Sequence, residues 1–164
     1  VWERYKHLVE GKVPVSLDTT APNKPLLPEE CTMQIADILV LPEDSLLLEL
    51  STHLYEMSGC GECANYLNKW KRLVFYLDTL CVDINSDGIE HFVEYHWHRL
   101  KQTKKAMEDL GIEKGVQLLD MVHKKVKKHI EDFEDEETFY YEQVEKDLLS
   151  GLYQYVLQNK EHFR

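Results

Sequence analysis

The sequence lacks the features that mark membrane, secreted or β-rich proteins. No apolar run approaches the roughly 20 residues needed to span a bilayer. No basic segment followed by an apolar one indicates a secretory signal, so we expect a cytoplasmic protein. Alternation of apolar and polar residues is nearly absent, and residues 12–17, "KVPVSL", are the only weak strand candidate. These absences favour a mainly helical globular fold.

Basic residues are also scarce, with 19 Lys and Arg against 30 Asp and Glu and a net charge of −11. Phosphate contacts need clustered Lys and Arg, so direct binding of nucleic acid is disfavoured. Acids concentrate in residues 131–149, which hold nine of them and one Lys. This run is either a solvated face or a surface that attracts a basic protein partner through its field. The candidate partner-binding residues are the first six acids of the run: Glu131, Asp132, Glu134, Asp135, Glu136 and Glu137.

Motifs typical of enzymes and cofactor sites are missing as well. The chain has no nucleophile motif, no Gly-rich phosphate loop and no HExxH, so we predict no catalytic residues, no cofactor and no metal. The best acid–base candidates are His91, His96 and His98 beside Glu90 and Glu94. His and Glu four residues apart on a helix are more typical of a surface pair.

One C-x-x-C motif, formed by Cys60 and Cys63, indicates either a metal site or redox exchange. A thioredoxin-like site would need a preceding strand, and none is predicted. Zinc would need two further ligands, for which His91, His96 and His98 are the candidates. Because nothing in the sequence brings these groups together, we interpret the motif as a turn before a helix.

Helical periodicity is the dominant pattern that is present. Leu46, Leu50 and Leu54 recur at helical spacing, as do Trp70 and Leu77 in the following segment. Four of the five prolines lie in residues 11–30, which predicts an extended connection between a helix over residues 1–10 and the main body. We predict a single-domain helical bundle of about six to seven helices. Its N-terminal helices and connection (1–60) are unassigned. A helical domain (61–164) follows, and we expect it to form one compact unit with them.

The stretch "DINSDGIEHFVE", residues 83–94, matches an EF-hand calcium loop in its spacing. Asp83, Asn85 and Asp87 occupy loop positions 1, 3 and 5, and Gly88 occupies position 6. However, Glu90 stands where an EF-hand has an apolar residue, and no second loop exists. Calcium binding stays an alternative, and we favour a structural turn that caps the next helix. Its residues are Asn85, Gly88, Ile89 and Phe92.

Residues 65–164 resemble the DNA-mimic-protein C-terminal domain family. The family pattern has an aromatic-rich helix, Val-Asn-Asn-Gly-Gly-Phe and Gln-Phe-Phe. Matching residues are Phe75 and Tyr76 in the aromatic pair, Asn85 and Gly88 in the turn, Phe92 after it, Gly111 at a helix junction, and Phe139 and Tyr140 near the end. Asp87, Ile89 and His91 depart from the pattern, which favours a diverged member with the same scaffold over one with a transferable active site.

The resemblance implies a mainly helical acidic protein whose carboxylates imitate the phosphates of DNA. It also implies a dimer, and a partner with a basic surface such as a DNA-binding regulator. We therefore predict a partner-binding protein that is not an enzyme. A calcium-binding protein or a purely structural role is the alternative.

Overall fold

Six helices of ten or more residues make up most of the part of the chain that the structure describes. The computed structural model describes residues 25–59 and 61–164. In these ranges the long helices are α1 (Glu43–Met57), α2 (Lys69–Asp87), α3 (Leu100–Asp109), α4 (Glu113–Lys127), α5 (Glu134–Gln143) and α6 (Glu145–Gln158). None of the described residues lies in a β-strand. The predicted mainly α class is confirmed.

Shorter helical segments join and flank the long helices. Single α-helical turns are Ile35–Ile38, Ile89–His91 and Lys160–Phe163, and 3-10 turns are Pro28–Glu30, Ala64–Tyr66 and Trp97–Arg99. Phe92–His96 is a π-helix. The predicted helix over residues 1–10, the strand candidate at 12–17 and most of the proline-rich connection lie outside the described residues.

Helix α2 is the longest of the described helices and lies at the centre of the fold. Asn68 begins it, because its Oδ1 accepts a hydrogen bond from the Lys71 backbone N–H at 3.0 Å. Gly88 ends it with a φ of 82°. Between them α2 packs against α1, α3 and α6. Its buried side chains include Leu77 and Leu80, which are at most 1% exposed.

One hydrophobic core joins the two segments that the sequence divides at residue 60. Leu46 and Leu50 of α1 are fully buried in the same cluster as Leu77 of α2 and Leu148 of α6. The described residues therefore form a single helical domain. In the described ranges no helix is both long enough and apolar enough to cross a membrane.

Two helical segments are interrupted. After Gly88 the chain passes through a π turn and a 3-10 turn before α3 begins at Leu100. Between α5 and α6 the helix breaks at Val144, whose φ and ψ are −120° and −50°. Tyr140 and Leu148, four residues to either side of Val144, are both fully buried. The spacing of buried residues continues through this break, so periodicity alone does not reveal it.

Candidate metal centre

Asp83 is a buried carboxylate near the C-terminal end of α2, with 3% of its surface exposed. It lies three residues after Leu80 and next to Ile84, both of which face the core. A buried charge is costly unless hydrogen bonds or a cation compensate it. The sequence indicates Asp83 only as the first position of the alternative calcium loop, and its place on an apolar helical stripe is the signal for a buried carboxylate.

Two histidines compensate the buried carboxylate. His91 Nδ1 lies 3.0 Å from Asp83 Oδ1, and His96 Nδ1 lies 2.6 Å from Asp83 Oδ2. An ionised carboxylate only accepts hydrogen bonds, so in that state of Asp83 the Nδ1–H of each ring is the donor. The side chains of His91 and His96 are 33% and 25% exposed. The three side chains thus form a group that is buried at the carboxylate and accessible at the imidazoles.

The π-helix explains how both histidines reach the same carboxylate. Residues five apart on an α-helix diverge by about 140° around the axis. A π-helix closes its hydrogen bonds between residues five apart, which brings such residues close to one face. Phe92–His96 adopts this geometry directly after His91. The rings of His91 and His96 have their centroids 6.1 Å apart.

Gly88 and Glu137 fix the direction in which the chain leaves α2 toward His91. Gly88 has φ 82° and ψ 177°, a conformation that is essentially restricted to glycine. Glu137 Oε1, on α5, accepts a hydrogen bond from the Ile89 backbone N–H at 2.8 Å. Ile89 itself is 1% exposed. The short helix that carries His91 is therefore held at its first residue by both the backbone and α5.

A cavity of about 450 Å³ adjoins the histidine–aspartate group. Asp83 and His96 line it, together with Ser51, Asp78 and Arg99. Ser51 Oγ donates a hydrogen bond to Asp78 Oδ2. Burial, with a smaller contribution from the charge of Asp83, raises the pKa of Asp78 to about 6 against the weaker opposing effect of Ser51. Two of the three grouped side chains therefore border a space that a small molecule can enter.

Imidazole nitrogens with one carboxylate form a ligand set for first-row transition metals. One ligand atom from each of Asp83, His91 and His96 lies within 4.8 Å of the other two. Such nitrogen and oxygen ligands suit Zn²⁺ or Fe²⁺, whereas Ca²⁺ takes oxygen ligands only. Tetrahedral bonds of about 2.0–2.1 Å space the ligand atoms about 3.3 Å apart. The contacts of 3.0 and 2.6 Å involve the two different oxygens of Asp83, and the three ligand atoms as a group lie within 4.8 Å of one another, so a bound metal would have to adjust their spacing.

The EF-hand spacing of residues 83–94 does not correspond to a loop. Asp83, Asn85 and Asp87 all lie within α2, where side chains two residues apart diverge by about 160°. The predicted turn is also shorter than expected, since Asn85 is helical and its Nδ2 donates to the Cys81 carbonyl at 2.9 Å. Gly88 has the positive φ that the sequence suggests, and Ile89 and Phe92 are each 1% exposed.

The six acids proposed for partner binding do not form one exposed surface. Glu136 is 3% exposed, and its Oε2 pairs with Lys125 Nζ at 2.6 Å. Glu137 holds Ile89, as described above. The expectation of an outward-facing Glu136 is therefore wrong, because this carboxylate is bound inside the fold. Asp132, Glu134 and Asp135 are exposed, and Glu131 is half-buried.

The C-x-x-C motif does not join the histidines in the described part of the chain. Cys63 has a free thiol and belongs to no ligand group there, and Cys60 lies outside the described residues. His98 is exposed, with its ring centroid 6.4 Å from that of His96. The structure thus brings His91 and His96 to Asp83 and leaves His98 outside the group.

Comparisons with models of protein families, with curated proteins and with solved structures found no match for this chain. The resemblance of residues 65–164 to the DNA-mimic-protein C-terminal domain family stays a prediction.

Proposed function

We propose that the protein binds a first-row transition-metal dication, with Zn²⁺ as the first to test, through Asp83, His91 and His96. The observation that carries the proposal is a buried carboxylate shared by two imidazoles at the edge of a cavity. Three protein ligands with an adjoining cavity are typical of metal sites that keep a coordination position for an exogenous ligand. Each imidazole would bind the metal in its neutral form, with its one proton on the other ring nitrogen. Protonation of the rings therefore competes with the metal, so its affinity should fall as the pH is lowered.

Calorimetric titration of EDTA-treated protein with Zn²⁺ tests the proposal. We expect one site per chain, and a loss of affinity of about 100-fold or more in His91→Ala and in His96→Ala, because each removes one of three ligands. His98→Ala is the matched control, since this neighbouring imidazole lies outside the group. Unchanged affinity in His96→Ala would contradict the proposal. Loss of binding in Cys63→Ser would place the metal on the C-x-x-C motif instead.

As a second candidate function, we propose that the protein binds a basic protein partner through its acidic surface, defined as Asp132, Glu134 and Asp135. This candidate is supported by the exposure of all three carboxylates and by the lack of an ion pair to any of them among the described residues. A net charge of −11 adds a long-range field. A DNA-binding regulator is the kind of partner that the family resemblance implies, with the protein itself acting as a homodimer.

Charge reversal tests this second candidate on a partner recovered from the native host. Glu134→Lys with Asp135→Lys should slow association strongly at low salt, because rim charges act mainly on the on-rate. Asp37→Lys with Glu62→Lys is the control, since it changes the net charge equally at two other exposed acids. Equal on-rates for the two double variants would exclude the acidic surface as the docking site.

A further inference from the structure

Arg99 is a buried cation beside the candidate metal centre. It ends the 3-10 turn that follows the π-helix, and 9% of its surface is exposed. Its Nη2 donates to the Gly61 carbonyl, and its guanidinium lies 5.0 Å from the centre of the Phe75 ring. No carboxylate among the described residues lies within ion-pair distance of it.

The guanidinium has hydrogen-bonding capacity that the protein does not use. It carries five N–H donors and stays charged in proteins, and the contact with Gly61 uses one nitrogen. In the described part of the chain His53 Nε2 is the one fully enclosed side-chain nitrogen or oxygen without a partner. The other nitrogens of Arg99 are therefore not sealed in the core. Because Arg99 lines the cavity beside Asp83 and His96, these donors are available to a ligand there.

The charges around the cavity favour an anion. A dication and Arg99 contribute three positive charges, while Asp83 and Asp78 contribute at most two negative ones. The two imidazoles are neutral when they bind a metal. Oxygen atoms of carboxylates and phosphates both coordinate metals and accept the paired donors of a guanidinium. A neutral ligand would leave a net positive charge in this cavity, which is costly for the buried Arg99.

We propose that the cavity binds a small oxyanion, with one oxygen on the metal and another accepting hydrogen bonds from Arg99. This inference rests on the proposed metal site, whose ligands face the same cavity. The shared chemistry is that of a carboxylate or a phosphate monoester, and the volume of about 450 Å³ leaves room for a further organic group. Arg99 then selects the charge of the ligand, and the metal fixes its position.

Cobalt(II)-loaded protein provides the test, because the visible spectrum of Co²⁺ reports on its ligands. The probes are acetate, methyl phosphate and acetamide, the last being an uncharged molecule of the size of acetate. We expect a saturable spectral change with at least one of the two oxyanions and none with acetamide. The preferred oxyanion distinguishes a carboxylate ligand from a phosphate ligand.

Variants of Arg99 assign the effect to the guanidinium. We expect Arg99→Met to weaken oxyanion binding at least tenfold, and Arg99→Lys to weaken it less because the charge remains. Arg72→Met is the control, since Arg72 lines a different surface groove. A variant whose cobalt spectrum without oxyanion matches that of wild type is folded. If Arg99→Met does not fold, the oxyanion affinity of Arg99→Lys is compared with that of wild type instead.

Two results would overturn the inference while leaving the metal site in place. One is a cobalt spectrum that neither oxyanion changes, and the other is equal oxyanion affinity in wild type and in the Arg99 variants. Failure of the wild-type protein to bind Co²⁺ at all would instead refute the proposed function and this inference together.

Discussion

Replacing Gly88 by alanine should destabilise the fold by about 3 kcal/mol, in two separable parts. The backbone at φ 82° and ψ 177° costs a residue with a Cβ roughly 1–3 kcal/mol. The added Cβ would also overlap Glu137 Oε1, the atom that accepts the Ile89 N–H. The flexible carboxylate moves away easily, but the hydrogen bond to Ile89 is then lost, at a cost of about 1–2 kcal/mol.

Urea unfolding followed by circular dichroism measures this cost, with Gly111→Ala as the matched control. Gly111 has φ 70°, and a Cβ there would meet nothing within 4 Å, so its variant carries only the backbone cost, about 1–2 kcal/mol. In a Glu137→Ala background, Gly88→Ala should cost only its backbone part, because the hydrogen bond is already absent. Equal destabilisation by Gly88→Ala in the wild-type and Glu137→Ala backgrounds would refute the role assigned to Glu137.

Three further predictions concern other parts of the molecule. Because the folded-state pKa of Asp78 is raised from 3.8 to about 6, its ionisation destabilises the fold as the pH rises through this window. Asp78→Asn should therefore be more stable than wild type by about 2–3 kcal/mol at pH 7.5 and equal to it near pH 4. Urea unfolding of the metal-free proteins measures this, and a stability difference that does not change with pH would contradict it. Glu136→Lys should destabilise the fold by about 3 kcal/mol or more because it breaks a buried ion pair, whereas Asp135→Lys should change stability by less than about 0.5 kcal/mol. Similar urea midpoints for the two variants would show that Glu136 is not buried. Calorimetry with millimolar Ca²⁺ should show only heat of dilution because residues 83–87 are helical, and a saturable site tighter than about 0.1 mM would show that they are not.

The long helices were predictable because each carries its own local pattern. Leucines at helical spacing in α1 and the apolar stripe of α2 follow from the burial of one helix face. The positive φ of Gly88 also has a local cause, since glycine adopts it without steric cost. Such features depend on residues close together in the chain, which a single sequence displays directly.

The candidate metal centre depends on contacts that local patterns do not contain. The π-helix after His91 changes which side chains share a helix face, and a search for the α-helical period of 3.6 residues does not detect this change. The acidic spacing around Asp83 indicated a loop, whereas the helix runs on to Asp87 because its apolar face continues into the core. In the same way, the orientation of Glu136 follows from Lys125 on a neighbouring helix. Which acids turn inward is therefore decided by tertiary packing.

X-ray absorption spectroscopy of the zinc-loaded protein tests the central claim most directly. Zinc bound by Asp83, His91 and His96 should show only nitrogen and oxygen neighbours at about 2.0–2.1 Å, with the scattering pattern of two imidazole rings. Zinc on the C-x-x-C motif would instead show sulfur at about 2.3 Å. A first shell without sulfur that loses imidazole scattering in His96→Ala is the predicted result, and a sulfur shell would contradict the assignment.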